Sequence, residues 1–253
     1  MIYSGAKMIE IPINRIGRNY FPDVQDLYGR KIQAITFYQN AIPLSDTGAY
    51  IEASDVEAWS VNLTANGSTY EFLNVPATEF LIDNTLGKPI EIGHQLLLEN
   101  CYIDAQTLTK SGKLIAVVWF ETDDQYKVKA TTDLSDFNSF DIYVSLGAGY
   151  RNYFPDNRDM AGKHFRGFNF NSEMTLTPYG QSAADLLWDS TYITFVKGTY
   201  AIMERVPLVH FQQMDWIQRQ KFDNIIFDFE NSYLETTDLN AAGAVNITCE
   251  FER

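Results

Sequence analysis

The sequence predicts an all-β protein that consists of two tandem antiparallel β-sandwiches. First, the hexapeptide Arg-Asn-Tyr-Phe-Pro-Asp occurs at 18–23 and again at 151–156, which marks the chain as an internal duplication. Second, short segments of alternating apolar and polar residues, bounded by turn residues, recur through both copies, as is typical of strands. Third, the chain is rich in Tyr (15) and Phe (17), and aromatic residues suit half-buried strand faces.

The duplication also predicts the domain organisation. A chain of 253 residues divided in two gives domains of about 125 residues each, which is close to the common domain size. The segment between the copies is polar and contains neither Pro nor Gly. We therefore expect a first sandwich at 1–122, a linker at 123–138 and a second sandwich at 139–253.

Each copy opens with a strand pattern that precedes the hexapeptide. In the first copy Ile9, Ile11 and Ile13 alternate with polar or turn residues. The corresponding residues of the second copy are Ile142, Val144 and Leu146. After the hexapeptide, alternation predicts a second strand at 31–38 and its counterpart at 164–170.

The hexapeptide and the residues after it are predicted to form a turn between these two strands. Pro22 favours an extended conformation before it, Asp23 can cap the backbone that follows, and Gly29 is placed to end one helical turn with a positive φ. We interpret the aromatic pair of each copy as packing the turn onto the sandwich, with a contact between domains or subunits as the alternative. The predicted anchors of the two turns are Tyr20, Phe21, Pro22, Asp23, Gly29, Tyr153, Phe154, Pro155, Asp156 and Gly162.

The middle of each copy contains a predicted hairpin. In the first copy, alternating runs at 56–65 and 69–75 flank Asn66-Gly67, a strong signal for a two-residue turn. The second copy has Lys197-Gly198 between its own alternating runs.

After a Val-Pro pair that ends the hairpin, each copy changes character. The apolar spacing becomes helix-like at 77–84 and 208–221, so we expect a short helical or irregular crossover in each copy. Later strands are predicted at 95–103, 113–121, 226–234 and 244–252. Short strands, hairpins and one long crossover are typical of an antiparallel two-sheet sandwich, of which the eight-stranded jelly roll is a main solution.

Two tandem jelly rolls, duplicated in Arg-Asn-Tyr-Phe-Pro-Asp, Val-Pro and Glu-Asn-(Cys/Ser)-Tyr, resemble the double jelly-roll major capsid proteins of icosahedral viruses. In size the chain is most similar to the compact members found in membrane-containing bacteriophages. The resemblance implies a structural virion protein that forms homotrimers of pseudo-sixfold outline, because six similar sandwiches then surround one axis. The implied partners are neighbouring capsid subunits, minor capsid or vertex proteins and an internal lipid membrane. The implied location is the capsid shell of the virion, after synthesis in the host cytoplasm.

Composition limits the partners and the compartment. The net charge of −14 repels nucleic acid unless basic residues are focused in one place, so we expect no sequence-specific nucleic-acid binding. The two cysteines, Cys101 and Cys249, occupy different positions within the copies, and we interpret them as buried free thiols. The first residues lack a long apolar segment, so we expect no signal peptide.

Positive charge is concentrated around the two hexapeptides. Each of the windows 15–31 and 151–166 carries a net charge of about +2, whereas the rest of the chain carries about −18. If both turns lie at one end of their sandwiches, a trimer collects six such patches, suited to anionic lipid, nucleic acid or an acidic neighbour. The alternative is that these side chains satisfy nearby Asp residues and carbonyls within the fold. The candidate residues are Arg15, Arg18, Arg30, Lys31, Arg151, Arg158, Lys163 and Arg166.

The sequence predicts no catalytic, cofactor-binding or metal site. None of the three histidines, His94, His164 and His210, belongs to a metal-spaced cluster, and the chain has no G-x-S-x-G nucleophile motif. The carboxylates of the turn, Asp23 and Asp26, and their second-copy counterparts have the oxygen ligands that calcium prefers. The alternative role for them is a turn cap with a salt bridge to the arginine of the same hexapeptide.

We therefore expect a structural virion protein and not an enzyme. The main alternative is a two-domain β-sandwich binding module, such as a virion spike, fibre or carbohydrate-binding protein. Such a module should expose a duplicated aromatic platform on a loop or sheet face. A third class is a bicupin-like enzyme, which a metal assay would test.

Overall fold

The structure, a computed structural model, consists mostly of β-strands. It describes residues 5–38, 51, 53–65, 70–81, 90–121, 137–146, 151–156, 160–170, 175–176, 191–198, 200–208, 220–226, 228–236 and 243–252. The strand pairs with a described register are antiparallel, and the predicted all-β class is confirmed. The chain divides into a first unit, Lys7–Glu121, and a second unit, Thr122–Arg253 with Met1–Ala6. Most of the predicted linker lies outside the described residues, so the domain boundaries stay a prediction.

The first unit is a two-sheet jelly roll. Its strands are β1 (Gly5–Ile13), of which most belongs to this unit, β2 (Gly17–Tyr20), β3 (Lys31–Tyr38), β4 (Trp59–Thr64), β5 (Tyr70–Pro76), β6 (Ile90–Gln95), β7 (Tyr102–Ala105) and β8 (Gly112–Phe120). One sheet has the neighbours β1-β8-β3-β6, and the other has β2-β7-β4-β5. Strands far apart in the chain are thus neighbours in both sheets, which is the order of a jelly roll.

The second unit repeats this order. Its strands are β9 (Phe137–Leu146), β10 (Arg151–Tyr153), β11 (His164–Phe170), β12 (Thr175–Leu176), β13 (Thr191–Lys197), β14 (Tyr200–Pro207), β15 (Gln220–Ile226), β16 (Asp228–Thr236) and β17 (Gly243–Glu252). One sheet has the neighbours β9-β17-β11-β15, and the other has β10-β16-β13-β14. The two-residue β12 pairs with the start of β17 and has no counterpart among the described strands of the first unit.

The core of the first unit lies between its two sheets. The alternating residues Ile9, Ile11 and Ile13 of β1 enter one buried cluster with Val61 of β4 and Ile103 of β7, which belong to the opposite sheet. The predicted inward face of the opening strand is therefore confirmed, because every second residue points to the same side of a strand.

Phenylalanine rings form a large part of the core of the second unit. Phe154 lies 5.4 Å from Phe195 and 6.1 Å from Phe229, and Phe229 lies 5.8 Å from Phe251, measured between ring centroids. Phe251 belongs to β17 and Phe195 to β13, so the row of rings connects the two sheets. Burial of each ring stabilises the fold by about 1.5–3 kcal/mol.

A β-bulge occurs at the same place in both units. Asn74 in β5 and Arg205 in β14 have positive φ values of 56° and 57°, which are uncommon for residues other than Gly. A buried side chain of the neighbouring strand accepts each backbone N–H, Asn62 at 2.9 Å and Thr194 at 3.1 Å. The duplication therefore extends to an irregular feature of the backbone.

Several strands match their predicted ranges. β3 and β11 have the bounds predicted for the strands after the hexapeptides, and β8 and β17 lie within one residue of the closing strands. The strand predicted at 95–103 is wrong, because β6 ends at Gln95 and a 3-10 turn, Leu98–Asn100, precedes β7. Its three successive leucines are buried or half-buried without alternation, since they line an irregular segment.

The helical crossovers are not shown. A single 3-10 turn, Ala77–Phe80, begins the segment predicted at 77–84, and residues 82–89 and 209–219 lie outside the described part of the chain. The turn at Asn66-Gly67 also lies outside it. Within the described residues, no helix has the length and apolar composition needed to span a membrane.

Candidate functional site

Each hexapeptide begins with a short strand at the edge of a sheet. β2 lies at the end of its sheet and pairs with β7, so that Arg18 is opposite Asp104 and Tyr20 is opposite Tyr102. β10 lies at the end of its sheet and pairs with β16 in the same way. Its opposed pairs are Arg151 with Glu235 and Tyr153 with Tyr233.

The alternation of these edge strands separates each Tyr-Phe pair. Phe21 and Phe154 are buried, and their backbone N–H groups bind the carbonyl oxygens of Cys101 and Ser232 at 2.9 and 3.2 Å. Tyr20 and Tyr153 point the other way and are 45% and 52% exposed, so they are not the buried anchors predicted for them. The physical reason is the two-residue period of a strand, which turns neighbouring side chains to opposite faces. Of the other predicted anchors, Pro22 is half-buried, and Asp23, Pro155 and Asp156 are exposed.

An arginine and two tyrosines form the same cluster on the outer face of each edge strand. The ring centroids of Tyr20 and Tyr102 are 5.6 Å apart, and the guanidinium carbon of Arg18 lies 4.7 Å from the centroid of Tyr102. In the second unit, the Tyr153–Tyr233 distance is 5.7 Å, and the guanidinium carbon of Arg151 lies 4.5 Å from the centroid of Tyr233. We call these two sets, Arg18/Tyr20/Tyr102 and Arg151/Tyr153/Tyr233, the edge clusters.

A second arginine and one carboxylate adjoin each edge cluster. Arg15 Nε donates to the backbone oxygen of Arg18 at 3.1 Å, and Asp104 is the residue opposite Arg18. In the second unit the same numbers of arginines and carboxylates come from other positions. Arg205 Nε lies 3.5 Å from Glu235 Oε2, and Glu235 is opposite Arg151. Each cluster with its adjoining residues thus has two arginines and one acid.

The turn after each edge strand ends in the same way in both units. In the first unit a 3-10 turn, Gln25–Leu27, buries Leu27, and Gly29 follows with the predicted positive φ, 71°. Met160 is buried at the corresponding position of the second unit, and Gly162 has a φ of 74°. A residue with a Cβ would be strained at both glycines.

Asp23 does not cap this turn. The residue at the cap is Val24, without a side-chain hydrogen bond, because Asp23 instead accepts a hydrogen bond from the hydroxyl of Tyr28. That hydrogen bond raises the pKa of Tyr28 to about 12. Asp26 forms a 2.7 Å salt bridge with Lys7, and the hydrogen bond from Lys7 is the main cause that lowers the pKa of Asp26.

The predicted basic residues separate into groups. Arg18 belongs to the first edge cluster and Arg15 adjoins it, whereas Arg30 precedes β3 and Lys31 begins it. There Arg30 lies 4.9 Å from the ring centroid of Phe120, and Lys31 forms a 2.9 Å salt bridge with Glu121. In the second unit Arg151 is exposed and Lys163 is half-buried at the end of its turn. Arg158 and the side chain of Arg166 lie outside the described part of the structure.

In each unit, one buried side chain just before the second tyrosine of the edge cluster joins two segments of the chain by a pair of hydrogen bonds. Cys101 Sγ lies 3.3 Å from both the backbone N–H of Thr64, which donates to it, and the oxygen of Leu97, to which it donates. Ser232 makes the same two hydrogen bonds in the second unit. Its Oγ accepts from the backbone N–H of Val196 at 3.0 Å and donates to the oxygen of Asp228 at 2.6 Å. Cysteine and serine thus replace each other at one structural position.

Both cysteines are buried free thiols, as predicted. Burial is the main cause that raises the pKa of Cys101 to about 12, which opposes formation of a reactive thiolate.

Within the described residues, no group of three or more His, Cys, Asp or Glu side chains is placed to hold a metal ion. His94 is exposed on β6, and the side chains of His164 and His210 lie outside the described part of the chain. Asp159, one of the carboxylates considered for calcium, is outside it as well. Among the described residues, the edge clusters are a surface feature that the two units share.

No protein-family model matches the chain, and no curated protein matches it. Among solved structures, the chain is similar to one titled "Crystal Structure of the STIV MCP", a viral major capsid protein. The match has 9% sequence identity and a TM-score of 0.22, and it covers 99% of this chain and 92% of the other. A likeness with so low a TM-score carries no argument about function.

Proposed function

We propose that the chain is a structural virion protein, specifically a double jelly-roll major capsid protein whose trimers tile an icosahedral shell. The observation that supports the proposal is the repetition of the whole jelly roll, in which both sheets of one unit have the same strand order as those of the other. The repetition includes irregular features, namely the bulges at Asn74 and Arg205 and the positive-φ glycines of the turns.

Duplication of a whole domain has a geometric consequence for assembly. Three chains with two similar jelly rolls each place six similar domains around a threefold axis. Such a trimer presents nearly equivalent edges to six neighbours, so one kind of subunit can tile a closed surface. The expected partners are other capsid subunits, minor or vertex proteins and an internal membrane, and the expected location is the virion. The proposal assigns no catalytic role to the chain.

The experiment that tests this function is a measurement of solution mass together with electron microscopy. We expect a species of about three times 28.9 kDa, with six similar lobes when viewed along its axis, and larger sheets or shells at high concentration. A monodisperse monomer that never assembles would contradict the proposal.

A second candidate function is a two-domain binding module, and one observation favours it. Tyr20 and Tyr153 are exposed at matching places of the two units, which is the duplicated aromatic feature expected of such a module. In that case the purified chain should remain a monomer and bind a soluble ligand, and Tyr20→Ala with Tyr153→Ala should abolish the binding. Screening the native chain against a glycan array tests this candidate.

A further inference from the structure

The edge clusters lie where a sheet can be approached from the side. β2 and β10 are terminal strands, and among the described strands none pairs with their outer sides. Edge strands of this kind offer backbone N–H and C=O groups to another chain, and proteins often protect them by charge or by short length. β2 has four residues and β10 has three, so their backbone edges are short, and a contact there has to come mainly from the side chains of the clusters.

The arrangement of the rings indicates a protein partner. Tyr20 and Tyr102 are inclined by 57° and Tyr153 and Tyr233 by 63°, so neither pair offers one continuous flat face to a sugar ring. Tyr102 and Tyr233 are buried and each has an arginine over its ring, which leaves Tyr20 and Tyr153 as projecting side chains. Exposed Tyr with Arg is the composition that dominates binding energy in protein interfaces.

The charge of the clusters indicates which protein is the binding partner. Each cluster with its adjoining residues has two arginines and one acid, a local charge of about +1, whereas the chain as a whole carries −14. An acidic region of another copy is complementary to these two positive spots, because the chain as a whole is strongly acidic. Because the cluster is present twice, one chain can contact two neighbours through the same chemistry.

We propose that the two edge clusters are matching contact surfaces at which copies of this chain bind one another, each receiving an acidic surface segment of a neighbouring copy. This inference rests on the proposed function, since it requires that the chains assemble. The projecting tyrosines supply most of the contact area, and the arginines hold their partner tyrosines in place while attracting carboxylates. The contact belongs to the assembled protein and needs no cofactor.

The test is self-association of the full chain with Tyr20→Ser and Tyr153→Ser combined, measured by sedimentation velocity over a range of concentrations. We expect the dissociation constant of assembly to rise by at least about tenfold, as for loss of interface tyrosines. The control is Tyr28→Ser, because Tyr28 is also a tyrosine beside a hexapeptide and is 50% exposed, yet lies outside the clusters. The control should assemble like the native chain. A second double variant, Tyr20→Asp with Tyr153→Asp, also removes the rings and places a negative charge against the acidic neighbour, so it should weaken assembly more than the serine variant does.

The outcomes separate this inference from the proposed function. If both double variants assemble as the native chain does, the edge-cluster inference is overturned and the capsid proposal stands. If the native chain does not assemble at any concentration, both are overturned. If the double variants assemble normally but lose binding to a glycan that the native chain retains, the clusters are a carbohydrate surface and the inference is also overturned.

Discussion

At the scale of single residues, the two units form the same pair of hydrogen bonds with different atoms, a cysteine sulfur in one and a serine oxygen in the other. The side chains of Cys101 and Ser232 both connect a strand N–H to a carbonyl four residues earlier in the chain. A thiol is a weak donor and acceptor, whereas a hydroxyl is strong in both roles. The second unit should therefore depend more on its bridge than the first unit does.

Replacement of Ser232 by Ala should be destabilising. The change leaves the N–H of Val196 and the oxygen of Asp228 without the hydroxyl that now bridges them, and a lost buried hydrogen bond costs about 1–3 kcal/mol. The measurement is the urea midpoint of unfolding, with the exposed Ser145→Ala as control. Equal midpoints for the two variants would show that the bridge does not stabilise the fold.

Cys101 should resist thiol reagents in the folded protein. Because burial raises its pKa to about 12, almost no thiolate is present at pH 8, and Cys249 is buried as well. We expect a colorimetric disulfide reagent to detect no thiol in the native chain and two after denaturation. Rapid reaction of one thiol in the native chain would contradict the burial of that residue.

The raised pKa of Cys101 also predicts a pH dependence. The unfolded thiol loses its proton near pH 9.0, whereas the folded thiol keeps it until about pH 12. Within this range the folded state binds more protons, so its stability falls as the pH rises, by at most about 1.4 kcal/mol per pH unit. Cys101→Ser should have a shallower fall above pH 9 than the native chain, measured by urea unfolding at several pH values. Parallel curves would contradict this prediction.

At the scale of elements, the bulges show how the duplication preserves backbone shape where sequence has diverged. Asn74 and Arg205 share a positive φ although only Asn is suited to it. The acceptors differ too, since Asn62 and Thr194 bind the two N–H groups with an amide and a hydroxyl. A buried acceptor is thus common to both bulges, whereas the bulged residue is not.

Arg205 is the strained member of this pair. We expect Arg205→Asn to leave the free energy of unfolding within about 1 kcal/mol of the native value, because Asn relieves the left-handed strain but leaves the buried Glu235 Oε2 without its ion pair. Arg205→Val should lower it by more than about 1 kcal/mol, since a β-branched residue is poorly accommodated at positive φ. Thermal unfolding compares the two variants. Because both lose the ion pair with Glu235, the opposite order would show that backbone strain at the positive φ does not decide stability at this position.

The elements that the sequence predicts best are long and alternate regularly. β3 and β11 are examples, since both have the bounds that the sequence predicts. β2 and β10 were not predicted as strands, because three or four residues beside a proline carry too little periodicity. The edge clusters could not be predicted for the same reason, since the pairing of Tyr20 with Tyr102 depends on a contact between distant segments. The available signal was the match of Glu-Asn-Cys-Tyr with Glu-Asn-Ser-Tyr, which placed Tyr102 and Tyr233 at equivalent positions.

At the scale of the whole molecule, assembly has to overcome the electrostatic repulsion between chains of the same negative charge. Three chains of −14 together carry about −42, and this repulsion acts between exposed groups that salt screens over about 8–10 Å. Charge pairs inside a contact are screened much less. Salt should therefore weaken the repulsion more than it weakens the attraction at the edge clusters.

We accordingly predict that assembly strengthens as the ionic strength rises from about 0.01 M to about 0.15 M, because the Debye length falls from about 30 Å to about 8 Å. The measurement is the oligomeric fraction by sedimentation velocity at a fixed protein concentration. Tyr20→Ser with Tyr153→Ser should shift the whole curve to weaker association without changing its slope, since it removes contact area but no charge. Association that weakens with salt in the native chain would mean that ion pairs between copies, and not tyrosine contacts, dominate the interface.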